Sequence, residues 1–292
     1  MSPFLVPRRP GHTLYDAVSE RSAAMVIRRY SSSFGLASLL LGQPVRTHVR
    51  NAYALVRVAD EIVDNPDPGL RRESRDLMLT ALQDDVHQSL RTGYSPNLTV
   101  HAFAATASAC GIGADLVDPF FASMRMDLDT TVHTPESFER YVYGSAEVVG
   151  LMCLRVFLAR EPARDRDYAR LARGAQRLGA AFQKLNFLRD LAEDHDTLHR
   201  CYFPGLDVDR FDDTDRDRIL DDIDTDLDAA DAVIPELPGG SRRAVRVAHA
   251  TFAELAARLR ATPADRIRRT RVRVPDPVKM RVMAGALYGR RA

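Results

Sequence analysis

The side chains best suited to chemistry lie between Leu178 and Pro204, in LGAAFQKLNFLRDLAEDHDTLHRCYFP. Read as helix, Gln183, Asn186, Asp190, Glu193 and Asp194 recur at three- and four-residue steps and share one face. Phe182, Leu185 and Leu188 occupy the opposite face, where they suit packing against neighbours. Two acids one turn apart repel by roughly 0.2–0.5 kcal/mol, and burying the stripe with no cation costs several times more. The face is therefore either wet or built to hold metal ions. Oxygen ligands with no His or Cys among them suit a hard ion such as Mg²⁺.

A second stretch, AYALVRVADEIVDN, repeats the design: Tyr53, Arg57, Asp60, Glu61 and Asp64 share a face, with Leu55, Val56, Ile62 and Val63 between them. One DxxxD helix is ordinarily a solvated face. Two, each set in an apolar helix, suit a cluster of Mg²⁺ ions that grips a diphosphate, because Mg²⁺ takes one or two carboxylates and fills its shell with water and phosphate oxygens. Ionising an allylic diphosphate requires such neutralisation of the departing group.

These faces need helices to carry them, and nearly every segment from Leu14 onward reads as helix, with no alternating strand pattern. Expected helices cover Leu14–Arg29, Gly35–Leu41, Val45–Asp64, Arg71–Thr92, Leu98–Cys110 and Asp115–Asp129. Pro135–Ala159, Ala163–Glu193, Asp213–Ile234, Ser241–Arg260 and Pro277–Tyr288 follow. Asn65-Pro66-Asp67-Pro68-Gly69 is a stop. No linker or composition shift divides the chain, so residues 1–292 read as one all-α domain, with 1–13 as a poorly ordered N-terminal tail.

Taken together, these segments resemble the squalene/phytoene synthase family of head-to-head prenyl synthases. The resemblance rests on FQKLNFLRDLAED with the RxYFP-like Arg200-Cys201-Tyr202-Phe203-Pro204, and on YALVRVADEIVD, Ser31 to Phe34, YVYGSAEVVG from Tyr141 to Gly150, and RVRVPDPVKM. The second motif is most similar to bacterial phytoene synthases of the actinobacterial type. The resemblance implies the isoprenoid-synthase fold, helices around a central cavity, and a Mg²⁺-dependent, non-reductive condensation of two prenyl diphosphates, with Mn²⁺ as a substitute metal and no NADPH. The favoured product is phytoene from geranylgeranyl diphosphate, the first step of carotenoid synthesis. Squalene or dehydrosqualene from farnesyl diphosphate is the alternative. Outside that chemistry stand a catalytically silent relative acting as an assembly protein and a diphosphate hydrolase.

By the same resemblance Asp60, Asp64, Asn186, Asp190 and Asp194 hold the metals, with Glu61 and Glu193 as second choices. Tyr53, Arg57, Gln183, Arg189, Arg200 and Tyr202 bind diphosphate or order the site. Ser31 and Ser33 match the family's diphosphate-contacting serines, although Ser32 stands where the family often has Lys, and hydroxyls there also suit a helix cap. Gly144 and Gly150 interrupt a helical pattern, a break the family uses to open room for substrate, which makes Tyr141 a candidate for the cavity wall and for catalysis. The final proton acceptor stays open between a tyrosine and the released diphosphate. His199 departs from the Gly usual before the Arg, and the loop is one residue longer than in some relatives.

Other features exclude whole classes. Net charge is +1, and the basic run Arg266 to Arg273 has no interleaved aromatics, which argues against nucleic acid and leaves a diphosphate or an anionic membrane surface. The separated Cys110, Cys153 and Cys201 make no disulfide framework and fit a reducing cytoplasm. MSPFLVPRRPG lacks a signal-peptide core, and no apolar run approaches the ~20 residues that span a bilayer. The expected location is thus cytoplasmic, touching the membrane surface, with downstream carotenoid enzymes as partners. His195-Asp196-Thr197-Leu198-His199 imitates a zinc helix without a third ligand, and Gly111-Ile112-Gly113 lacks the strand of a dinucleotide site. The twelve aspartates from Asp207 to Asp231 surround the apolar stripe Ile219, Ile223, Leu227 and Ile234, and read as a solvated acidic helix.

Overall fold

The computed structural model describes residues 13–30, 33–65, 67, 69–197 and 199–288. The tail expected over 1–13 lies, Thr13 apart, outside the described residues. Among the described residues the fold is all-α, and Val132 with Cys201 forms an isolated β-bridge. Helices α1 (Thr13–Tyr30), α2 (Ser33–Leu39) and α3 (Val45–Val63) precede α4 (Arg72–Thr92), α5 (Leu98–Cys110) and α6 (Ala114–Asp129). Then α7 (Pro135–Val142), a π-helical turn (Tyr143–Glu147) and α8 (Val148–Leu158) run on without a break. The series ends with α9 (Arg164–Arg189), α10 (Leu191–Asp196), α11 (Asp213–Asp231), α12 (Gly239–Arg260), α13 (Ala264–Ile267) and α14 (Asp276–Tyr288).

Local chemistry explains the ends. The Asn97 side chain accepts from the Thr99 and Val100 N–H groups to start α5, and Gly111, at φ +73°, closes it in the left-handed region. Gly111 is thus a helix stop, and no strand precedes it. Asp212 caps α11 through the Asp215 N–H. The helix expected over Ala163–Glu193 divides instead at Asp190, whose backbone leaves helical geometry between α9 and α10. No Gly or Pro marks that break.

Helix α9 runs through the middle, packed on α8, the π-turn, α11 and α12. One core joins α3, α4, α5, α6 and α8 around Leu55, Leu79, Phe103 and Phe121, and a second joins the end of α9 to α11 and α12 around Leu188, Leu220 and Leu259. Contrary to the absence of a span-length apolar run, Pro135–Leu158 is long and apolar enough by composition to cross a bilayer, but 56% of its apolar window is buried within the protein. It is a core helix.

The irregularity in that helix is the π-turn at Tyr143–Glu147, an extra-residue bulge of the kind found at functional sites. Its glycines serve close packing. A Cβ on Gly144 would overlap the Pro119 carbonyl and Ser123 Oγ, while Gly150 and Gly179 let α8 and α9 approach backbone to backbone at Ala175 and Ala146. Gly144→Ala is therefore expected to cost about 1–3 kcal/mol through overpacking, read as a lower midpoint in denaturant unfolding.

Candidate active site

The C-terminal ends of α3 and α9 meet at the mouth of a cavity of about 1020 Å³. Seven of the expected site residues line it: Tyr53, Arg57 and Asp60 from α3, and Gln183, Asn186, Arg189 and Asp190 from α9. Its depth is apolar, walled by Phe157, Leu171, Leu178, Val233, Ile234 and Leu237. Leu171 and Arg189 both line the cavity and lie on α9, so at the α-helical rise the lining follows that helix for about 27 Å. Segment 271–276 crosses the mouth and contributes Arg271 and Arg273.

Asp64, Asp194, Tyr141, Arg200 and Tyr202 do not line this cavity; they stand behind its acidic rim. Arg200 is 8% exposed and donates from Nη1 to Asp64 Oδ1 at 2.8 Å and from Nη2 to the Asp127 carbonyl at 2.8 Å. Tyr141, expected at the cavity wall, is 3% exposed and donates its phenol to Asp127 Oδ2 at 2.9 Å. Tyr202 reaches Asp127 Oδ1 at 3.3 Å and stacks on Phe187. Asp127 is the residue that sequence reasoning passed over: it sits in MRMDLD, which reads as a charged helix end, yet it is the hub joining Tyr141, Tyr202 and Arg200.

The charge density is high. Burial pushes Asp60 up to about 7, aided by repulsion from Asp64. Burial likewise raises Asp194 to about 7, with repulsion from Asp190 and Asp64 opposed by Arg200. Asp127 is also raised to about 7 by burial, against the pull of Arg200. Asp64 thus repels acids on both motifs, which ties the two helices into one electrostatic site. Carboxylates crowded in this way favour an added cation. Among the described residues no three His, Cys, Asp or Glu side chains are gathered closely enough to hold a metal by themselves. The donor set suits instead a hard ion that brings waters and phosphate oxygens with it.

Several of these side chains already have cationic partners. Asp190 is gripped by Arg189, at 2.9 and 2.5 Å, and by Arg271 Nε at 2.8 Å, and Arg271 Nη1 lies 3.6 Å from Glu193. Arg57 donates to Glu61, lies 4.0 Å from Asp60 and stacks 4.6 Å over the Tyr30 ring. Ser31 lies outside the described residues, and Ser33 is the first residue of α2. His199 stands at φ +53°, the left-handed region where Gly is strain-free, which is why a Gly is the expected residue there. His195 of the zinc-like sequence contacts Asp196 and Arg268.

The acidic helix α11 departs from its solvated reading at one residue. Asp226 is 1% exposed and accepts from Lys184 Nζ at 2.8 Å and Arg177 Nη1 at 2.9 Å, clamping α9 to α11. Asp222 completes the Lys184 pair, and Asp224 holds Arg260.

A family model described as squalene/phytoene synthase matches residues 27–277. The 15-cis-phytoene synthase of Enterobacter agglomerans is 32% identical over 181 residues, covering 60% of this chain and 58% of that protein. The bifunctional lycopene cyclase/phytoene synthase of Blakeslea trispora is 28% identical over 193 residues, 61% of this chain and 31% of its own length. The chain therefore spans less than two thirds of either relative. The 4,4'-diapophytoene synthase of Staphylococcus haemolyticus is 27% identical, with 67% of each covered. In three dimensions a dehydrosqualene synthase crystallised with ligand superposes with TM-score 0.78 at 19% identity, covering 94% of this chain and 97% of that one. With the acid-rimmed cavity between its two DxxxD helices, and a family match over 27–277, the chain belongs to the squalene/phytoene synthase family.

Proposed function

We propose that the protein condenses two prenyl diphosphates head to head, and that its substrate is geranylgeranyl diphosphate and its product phytoene. One observation carries this reading: a single cavity, lined by α9 over about 27 Å, joins a rim of Asp60, Asn186, Asp190 and guanidinium groups to an apolar channel. The rim suits a diphosphate and the channel suits hydrocarbon. A span of this order leaves room for the four-isoprene chain.

Asp60, Asp64, Asn186, Asp190 and Asp194 would hold Mg²⁺, with Glu61 and Glu193 at the edge; the metal supplies neutralisation of the departing diphosphate. Arg57, Arg189 and Arg271 offer planar forks to the phosphate oxygens, and Gln183 orients them from one turn deeper. Ionisation breaks the C–O bond, and the electron pair leaves with the diphosphate. The allylic cation then alkylates the second substrate's double bond, and loss of a first proton closes the ring of a cyclopropylcarbinyl diphosphate. Its own C–O bond breaks with departure of the second diphosphate, and the resulting cation rearranges and loses a second proton. The apolar walls exclude the water that would quench each cation. Tyr141 and Tyr202, fixed on Asp127, hold the wall behind the rim.

The rim's titration gives a test separate from turnover. Asp60, Asp127 and Asp194 ionise near pH 7 when folded, against an ordinary 3.8, so without metal their contribution to stability is complete below pH 4 and is lost as pH rises through 7. Mg²⁺ binds the ionised form. Its stabilisation is therefore expected to be larger at pH 8 than at pH 5, measured as the Mg²⁺-induced rise in Tm.

The decisive assay gives purified protein Mg²⁺ with geranylgeranyl or farnesyl diphosphate, with and without NADPH, and identifies extracted hydrocarbon by mass. Phytoene from the longer substrate, unchanged by NADPH, is expected. A squalene-type product from farnesyl diphosphate alone overturns the chain length. Free diphosphate without hydrocarbon points to hydrolysis, and no turnover by folded protein points to a silent relative.

A further inference from the structure

The outward face of α1 carries a stripe of exposed apolar side chains. Leu14, Val18 and Met25 are 78, 39 and 53% exposed and fall in one helical row, with Ser22 between Val18 and Met25. Arg21, Arg28 and Arg29, all exposed, flank that row. The helix's two acids, Asp16 and Glu20, fall by helical phase on the other side, where Asp16 holds His101 Nε2 at 2.8 Å. Val18, Arg21, Ser22, Met25, Arg29 and Tyr30 together line a shallow surface depression. Tyr30 also lines the main cavity, where its ring lies under the Arg57 guanidinium. The stripe therefore leads to the cavity mouth.

We propose that this face of α1 docks on an anionic lipid surface, placing the cavity entrance against the bilayer. Three arginines around exposed apolar side chains match the chemistry of a helix that lies in a membrane interface, apolar groups inserted and cations on acidic headgroups. A second copy fits less well, since α1 itself places no acid beside the row and a symmetric pairing would set Arg21 and Arg29 against their own kind. The face is independent of which prenyl diphosphate the site accepts, and docking can be read without turnover.

The test is co-flotation of the full chain with vesicles of phosphatidylcholine, alone or mixed with phosphatidylglycerol. Wild type is expected to bind the anionic vesicles at least tenfold more tightly than the neutral ones, and less tightly as salt is raised. Met25→Asp and Arg21→Glu each lower that affinity at least tenfold while circular dichroism stays unchanged, and Met25→Leu keeps it. The proposal is overturned if folded wild type ignores the anionic vesicles, or if Met25→Asp floats as well as wild type. It is also overturned if the stripe drives concentration-dependent self-association that Met25→Asp abolishes, or if binding appears only after residues 1–12 are removed, which would assign the stripe to that segment.

Discussion

Asp60→Asn and Asp190→Asn are each expected to lower turnover by about 10²–10³-fold or more, the order seen when one preorganised electrostatic group is removed from a reacting site, while the protein stays folded. The amide keeps the volume and one acceptor oxygen but removes the charge that a hard cation needs. The two variants separate catalysis from stability in different ways. Asp60 is recessed and repelled by Asp64, so neutralising it removes a cost, and the metal-free Tm of Asp60→Asn should equal or exceed that of wild type. Asp190 is the acceptor for Arg189 and Arg271, so its amide weakens two ion pairs at the mouth and Tm should fall slightly. Loss of folding, or full turnover, in either variant would refute the assignment of that acid to the site. The Mg²⁺-induced rise in Tm should shrink in both.

The fold was largely legible because apolar periodicity and helix formers do not depend on distant partners. Two features show where that stops. Asp127 draws its meaning from Tyr141, Tyr202 and Arg200, which lie 14, 75 and 73 residues away, and no local pattern in MRMDLD encodes them. The division at Asp190 has no Gly or Pro signal; the pairing of its carboxylate with Arg271, 81 residues on, lies on the tertiary level. Asp226, by contrast, was readable. It follows Ile219 and Ile223 at helical steps, which puts it in the apolar row, and only the abundance of aspartates around it hid a buried anion. At the rim the residue types and spacing pointed to faces that meet at one cavity, but not to which acids open on it and which stand behind it. That depends on where Arg200 enters from the following loop.

Arg200→Met is expected to destabilise the protein by about 3–5 kcal/mol, the usual cost of removing one partner of a buried ion pair. Three losses coincide: Asp64 loses a 2.8 Å donor, the Asp127 carbonyl loses another, and the Asp127 carboxylate, 5% exposed with Arg200 3.8 Å away, loses its nearest cation. Burial already holds that carboxyl near 7, so it answers by staying protonated over a wider pH range. Arg200→Lys keeps the charge but not the fork, and cannot reach Asp64 and the Asp127 carbonyl together. It should lie between wild type and Met in stability. The double variant Arg200→Met with Asp127→Asn should be more stable than Arg200→Met alone, because it no longer buries an unmatched anion. Denaturant unfolding of the four members of that cycle gives the coupling directly. Equal stability of the single and double variants would mean that Asp127 takes no charge from Arg200, and that the tyrosines alone hold it. Turnover should fall with Arg200→Met beyond its loss of stability, since Asp64 is then free to turn away from Asp60 at the rim and from Asp194 behind it.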